Sequence, residues 1–184
     1  MSEYSDDELL ILFRNESSRH DAFNRMVARY KERLYWHIRK IVIMHEDADD
    51  VLQNTFIKVW KGLETFRGEA QLSTWMYRIA TNESITFLNQ KRSRQMMSLE
   101  DIEYQLSQSL HHDEYFSGDD LQEQLQQAIL SLPEKQRIVF NMKYFDEMPY
   151  EEMSKILGTS IGALKASYHH AVKKIKAWFE VEIQ

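Results

Sequence analysis

Turn-forming residues are scarce in this chain: five glycines and two prolines punctuate 184 residues. The tight turns of an all-β fold depend on these residue types, so an all-β architecture is disfavoured. The chain is instead rich in Leu, Ile, Met, Lys, Glu and Gln, which favour helices. The predicted fold class is therefore all-α.

The net charge of −6 is concentrated in one short stretch. Residues 96–120, MMSLEDIEYQLSQSLHHDEYFSGDD, carry seven acidic residues and no basic one, whereas the flanking parts are nearly neutral. This composition is typical of a mobile linker, and a short acidic helix packed on a neighbour is the alternative. We expect two small helical domains, residues 1–95 and 121–184, joined by an acidic flexible linker at 96–120.

Composition and spacing disfavour catalysis. The chain has no cysteine, and its adjacent histidine pairs, His111-His112 and His169-His170, cannot easily share a metal. A Gly-rich phosphate loop and a Ser-centred elbow are absent from the sequence. The first ten residues lack a secretory pattern, and no apolar run approaches the roughly 20 residues that span a bilayer. We expect a cytoplasmic protein that is not an enzyme, with no catalytic residue, metal, cofactor or membrane insertion.

Hydrophobic periodicity predicts four helices in the first domain, at about 5–14, 18–43, 46–64 and 70–92. In the second domain, Ser131 and Glu134 have the spacing of a capping box, and Pro149 opens another helix. Gly158 can end that helix, and Thr159-Ser160 can cap the next one. This order of helix, short turn and helix predicts a helix-turn-helix.

The last predicted helix is suited to DNA. Residues 158–176, GTSIGALKASYHHAVKKIK, contain four lysines and no carboxylate. Lysines displace counterions from DNA phosphates, and small residues let a helix approach the bases closely. A solvated basic face on an ordinary amphipathic helix is the alternative. The candidate DNA-binding residues are Ser160, Lys165, Ala166, Ser167, His169, His170, Lys173 and Lys174.

Residues 66–82, FRGEAQLSTWMYRIATN, combine aromatic rings with basic and amide side chains. This combination suits unstacked bases, because rings stack on bases while amides read their edges and basic groups hold the backbone. Phe66 and Trp75 could alternatively be core residues.

Two blocks of the sequence resemble one family, the extracytoplasmic-function sigma factors of bacterial RNA polymerase, which belong to the sigma-70 family. DADDVLQNTFIKVWKGLETFRGEAQLSTWMYRIATN resembles its region two, and LPEKQRIVFNMKYFDEMPYEEMSKILGTSIGALKASYHHAVKKI resembles its region four. With the acidic linker, they account for almost the whole chain. The resemblance implies a factor that binds core RNA polymerase and directs promoter recognition, strand opening and initiation.

The resemblance also implies partners and roles for individual residues. The third helix would dock on the clamp helices of the largest polymerase subunit, and the second domain on the flap. The implied polymerase-binding residues are Asp47, Asp49, Asp50, Gln53 and Asn54, and many members have Glu at the position of Asn54. An acidic first turn that stabilises the helix N-terminus is the other interpretation of these aspartates. A further expected partner is an anti-sigma factor, either free or bound to the membrane.

For DNA, the resemblance implies two readers. The first domain would melt the minus-ten element and hold a flipped base, using Phe66, Arg67, Gly68, Trp75, Arg78, Asn82, Lys91, Arg92 and Arg94. The last helix would read the minus-thirty-five element as duplex. Many members carry arginine at the positions of Ser167 and His170, so another member's promoter preference does not transfer to this chain.

Two further interpretations stay open from the residues alone. A stand-alone two-domain helix-turn-helix regulator would bind DNA as a dimer and sense a ligand with its first domain. A sigma mimic would bind polymerase without DNA, although the carboxylate-free last helix argues against it.

Overall fold

The computed structural model describes residues 4–95 and 120–182, and within them it contains eight helices and no strand. The all-α prediction is confirmed for these residues. The helices are α1 Asp6–Arg14, α2 Arg19–Val42, α3 His45–Leu63, α4 Leu72–Gln95, α5 Asp120–Leu130, α6 Glu134–Tyr144, α7 Tyr150–Leu157 and α8 Ile161–Glu182.

Helices α1 to α4 form an N-terminal unit whose helix bounds lie within three residues of those predicted. One face of α3 is buried, at Ala48, Val51, Thr55, Val59 and Leu63. A capping box starts α1: the Ser5 hydroxyl accepts from the Glu8 amide, and the Glu8 carboxylate accepts from the Ser5 amide. The Ser5 amide and the Ser5 hydroxyl both donate to the Glu8 carboxylate, and these two bonds hold the Glu8 pKa below its ordinary value.

Helices α5 to α8 form a C-terminal unit with the predicted helix-turn-helix at α7 and α8. Gly158 ends α7 in the left-handed conformation, with φ of 63°. The Ser160 hydroxyl then accepts from the Ala163 amide at 3.3 Å and caps α8. The predicted capping box at Ser131 is wrong, because its hydroxyl donates to the Ala128 carbonyl at the end of α5.

Both units contribute to one apolar cluster. Met153 and Ile156 of α7 are buried in the same cluster as Met76 and Leu72 of α4 and Leu34 of α2. Close contacts join α7 to α4 and α6 to α2. The two units are therefore packed against each other in this structure, an arrangement that the sequence does not predict.

The predicted acidic linker falls almost entirely on residues 96–119, which lie outside the described residues. His111 and His112 lie there as well. The boundaries of the predicted domains stay a prediction.

Candidate nucleic-acid interface

A cleft of about 610 Å³ opens between the end of α3, the following loop and the start of α4. Phe66 and Trp75 line it, with their ring centroids 4.9 Å apart. Arg67 and Arg78 also line it. The structure thus brings together two rings and two guanidinium groups, the groups expected of a site for an unstacked base.

The Trp75 ring packs closely against Gly62 of α3, and this position is open to the ring because glycine has no side chain. A Cβ atom at Gly62 would lie 2.8 Å from Trp75 Cζ2, closer than carbon atoms normally approach. Trp75 is half-buried and packs on the core, while the same side chain lines the cleft. The core and cleft interpretations of Trp75 both hold. Sequence spacing gave no indication of the role of Gly62.

The loop that borders the cleft turns at Gly68, which has φ of 73° and is exposed. Its left-handed conformation suits glycine, because a side chain would add strain there. Gly68 therefore shapes the loop and offers no side chain to a ligand.

The other predicted minus-ten residues of α4 fall into two groups. Arg78 and Asn82, four residues apart, share one face of the helix, and both are exposed, as is Arg94. Lys91 instead pairs with Asp47 at 2.6 Å, and Arg92 pairs with Glu134 of α6. Lys91 and Arg92, two of the predicted DNA-binding residues, are thus each paired with a carboxylate in this structure.

The polar face of α3 carries the predicted polymerase contacts. Asp49, Asp50, Gln53 and Asn54 are exposed, whereas Asp47 is half-buried against Lys91. Glu46 and Asp47 lie in the first turn of the helix, where carboxylates also stabilise its N-terminus. Four of the five predicted residues therefore lie on an exposed surface. The fifth, Asp47, forms an ion pair with Lys91 of the same unit.

The candidate DNA-reading face of α8 is open. Lys165, Ala166, His169, His170, Lys173 and Lys174 are exposed, and Ser167 is half-buried. The opposite face buries Leu164, Ala171 and Ile175. The Tyr150 ring lies 5.0 Å from Lys143 Nζ and 5.7 Å from Lys165 Nζ, so cation–π contacts help to place Lys165. Tyr150 was not among the predicted site residues.

Residues of the C-terminal unit also reach the cleft. The Thr74 hydroxyl donates to Glu152 Oε1 at 3.1 Å, and Lys155 lines the cleft beside Trp75. Sequence reasoning missed both contacts, because the partners are more than 75 residues apart along the chain and no local pattern links them.

A buried polar cluster joins the units beneath this surface. Asp146 lies 3.1 Å from His37 Nδ1 and pairs with Lys40. Burial of Asp146 opposes its ionisation, but the hydrogen bonds and charges of His37 and Lys40 outweigh it and hold its pKa below the ordinary value. Burial, with the Asp146 charge, raises the pKa of neighbouring Tyr77 to about 12. Asp146 is therefore a carboxylate at neutral pH.

No group of three or more His, Cys, Asp or Glu side chains among residues 4–95 and 120–182 could hold a metal ion. Across the helices that the structure describes, none is long and apolar enough to cross a membrane.

Comparison with known families assigns both units. The model for sigma-70 region 2 matches residues 26–94, and the model for sigma-70 region 4 matches residues 122–175. The chain belongs to the sigma-70 family. Its function is that of an RNA polymerase sigma factor in promoter-directed initiation, and it is not an enzyme.

Relatives extend this assignment over most of the chain. The ECF RNA polymerase sigma factor SigW of Bacillus subtilis is 29% identical over 167 residues, which are 85% of this chain and 88% of the relative. The ECF RNA polymerase sigma-E factor of Escherichia coli K12 is 28% identical over 183 residues, 95% of each chain. The expected resemblance to extracytoplasmic-function sigma factors is confirmed.

Solved structures share the fold of this sigma factor. CnrH in complex with the cytosolic domain of CnrY gives a TM-score of 0.68 at 22% identity, over 94% of this chain and 96% of that chain. RpoE of Bartonella quintana, in complex with the anti-sigma factor NepR, gives 0.66 at 19% identity, over 86% and 97%.

Proposed function

We propose that this sigma factor opens promoters through the cleft of α3 and α4 and reads duplex DNA through α8. One observation carries the proposal: the Phe66 and Trp75 rings line a cleft with Arg67 and Arg78. Unstacking a base costs a few kcal/mol, and stacking on aromatic side chains returns about 1–3 kcal/mol per base. A base held there would stack on a ring while the guanidinium groups hold the backbone.

Asn82 would read an exposed base edge, since it is exposed one turn beyond Arg78 on α4. Its amide has both donors and an acceptor, the groups that read base edges. Arg94 would contact a phosphate. Lys91 and Arg92 would do so after their carboxylate partners are displaced.

The exposed face of α8 would enter the major groove of the minus-thirty-five element. Its lysines would neutralise phosphates, and Ala166 would allow close approach to the bases. His169 and His170 would contact base edges less specifically than arginine does.

The core polymerase would bind the exposed carboxylates and amides of α3. Asp49 and Asp50 would steer this surface toward a basic coiled coil, because complementary charge raises the rate of encounter. The flap would hold the C-terminal unit. The protein would work in the cytoplasm, where the polymerase acts. An anti-sigma factor would control it, and the complex of the Bartonella protein with NepR supports this part of the proposal.

The packed structure cannot read both elements at once. Elements about 25 base pairs apart are separated by about 85 Å on a duplex that rises 3.4 Å per pair. A compact chain of this length has a radius of gyration of about 16 Å. Polymerase would therefore have to separate the two units during initiation.

The test is multi-round transcription of genomic fragments with purified core RNA polymerase from the source organism. We expect specific transcripts that require this protein and fade with the Trp75→Ala, Asn82→Ala double variant. The control is Asn24→Ala, because Asn24 is exposed on α2 and is not among the candidate site residues. Stable core binding without transcripts would favour a mimic, and tight duplex binding without core would favour a stand-alone regulator.

A further inference from the structure

The cleft between α3 and α4 is positively charged, although the net charge of the chain is −6. Arg67, Arg78 and Lys155 line it, and Glu69 is the one carboxylate among its described lining residues. Within residues 4–95 and 120–182, none of these three cations has a hydrogen bond or an ion pair. The excess of positive charge favours an anionic ligand.

Lys155 is the contribution of the C-terminal unit to this cleft. On either side of it along α7, Met153 and Ile156 are buried in the apolar cluster shared with α4. The Thr74 hydroxyl donates to Glu152 Oε1 at 3.1 Å, three residues before Lys155. These contacts hold the backbone of α7 beside the cleft, while the exposed side chain of Lys155 can turn toward a ligand.

Strand opening gives Lys155 no role. On the proposed function, polymerase separates the two units during initiation, and Lys155 then leaves the cleft together with α7. The complete set of three cations exists only in the packed chain. Its ligand is therefore a molecule that meets the free protein, and not a promoter strand in the initiation complex.

The cleft combines two kinds of binding group. Phe66 and Trp75 offer aromatic faces, on which any base can stack. Guanidinium groups bind phosphate oxygens through paired hydrogen bonds, and a lysine binds them as a point charge. The volume of about 610 Å³ lies within the range of about 300–1,000 Å³ that is usual for small-molecule pockets. A base alone would leave the cations without a partner, and a phosphate alone would leave the rings without one.

We propose that the packed chain binds a free nucleoside di- or triphosphate in this cleft. The base stacks on the Trp75 ring, and the phosphates bind Arg67, Arg78 and Lys155. The inference goes beyond the proposed function, although both use the same rings. Because the rings belong to the N-terminal unit and Lys155 to the C-terminal unit, the nucleotide bridges the two units and stabilises the packed chain.

The experiment titrates the full chain, without polymerase, with ATP as the probe and measures binding by isothermal titration calorimetry. Adenosine tests the base without phosphates, and tripolyphosphate tests the phosphates without a base. The variants are Lys155→Gln, which removes the cation of the C-terminal unit, and Trp75→Leu, which removes the ring but keeps an apolar side chain. Circular dichroism establishes that each variant folds. Because Lys155 is exposed, its variant tests the site even if Trp75→Leu does not fold.

Lys135→Gln is the matched control for Lys155→Gln, because both lysines are exposed in the C-terminal unit and the net charge changes equally. Lys135 is not among the described residues that line the cleft. We expect one ATP per chain, with affinity at least about fivefold above that of adenosine or tripolyphosphate. Lys155→Gln and Trp75→Leu should each weaken ATP binding at least about fivefold, and Lys135→Gln should match the wild-type protein.

Any of three results would overturn the inference. These are no saturable binding of ATP, adenosine or tripolyphosphate that binds as tightly as ATP, and ATP affinity in Lys155→Gln or folded Trp75→Leu that equals the affinity of Lys135→Gln. Transcription with core polymerase tests the proposed function separately. Promoter-specific transcripts from the wild-type protein, obtained alongside any of these results, would refute the nucleotide site and leave the function standing. ATP binding that depends on Lys155, without such transcripts, would do the reverse.

Discussion

The Gly62→Ala substitution should separate the shape of the proposed minus-ten cleft from the stability of the fold. The new methyl carbon would lie 2.8 Å from Trp75 Cζ2 and 3.0 Å from Cη2. Ordinary carbon contacts are about 3.5–4.0 Å, so the indole ring must shift by roughly 1 Å. Trp75 is half-exposed and borders the cleft, so the ring can move into that space and away from Phe66.

The energetic consequences differ for folding and for function. Alanine in a helix is favoured over glycine by about 0.5–1 kcal/mol, which offsets part of an overpacking cost of about 1–3 kcal/mol. We therefore expect the free energy of unfolding to fall by at most about 2.5 kcal/mol. Loss of one stacked base costs about 1–3 kcal/mol, which corresponds to roughly a 5- to 150-fold loss of promoter opening.

Urea unfolding followed by circular dichroism measures the first quantity, and transcription with core polymerase measures the second. Gly162→Ala is the stability control, because no atom lies within 4 Å of its new methyl group, and we expect it to be neutral or slightly stabilising. Full promoter opening by Gly62→Ala would refute the role of the Trp75 ring position. Destabilisation well above 3 kcal/mol would refute the idea that the ring can move aside.

Three further predictions follow from local structure. Gly158→Ala should destabilise the protein by about 1–2 kcal/mol in urea unfolding, because φ is 63° there, and an unchanged midpoint would contradict this. Ser160→Ala should cost about 1 kcal/mol of unfolding free energy through loss of the α8 cap, while Ser160→Asp should restore it. The lowered pKa of Asp146 means that its ionised form stabilises the packed units above the ordinary carboxyl pKa, near 4, and that this stabilisation is lost as pH falls through the lowered value. Energy transfer between labels on Asn24→Cys and Glu180→Cys, one in each unit, should therefore drop below about pH 4 when Asp146 is present. An equal drop in the labelled Asp146→Asn variant would exclude Asp146 as the cause.

The sequence predicted most of the helical architecture because helices depend on local patterns. Periodic apolar residues located α3, and Gly158 with Ser160 marked the turn before α8. The prediction failed at Ser131, where a nearby carbonyl competed for the hydroxyl. Local spacing cannot show which acceptor a short polar side chain will find once neighbouring helices pack.

The candidate site was predicted only as separate surfaces. Phe66 and Trp75 do line one cleft, as their combination with basic residues indicated. The pairing of Asp47 with Lys91 was not foreseen, although both were predicted to bind partners, because 44 residues separate them. The packing of α7 against α4 depends on tertiary contacts that leave no local pattern in the sequence.

Strand opening is the central claim, and permanganate reactivity of unpaired thymines tests it most directly. The substrate is a duplex promoter recovered by the transcription assay, mixed with core polymerase and this protein. We expect reactive thymines around the minus-ten element only when both proteins are present, and strongly reduced reactivity with the Trp75→Ala, Asn82→Ala double variant. Equal reactivity with that variant, or a duplex that stays closed while transcripts still depend on this protein, would contradict the account.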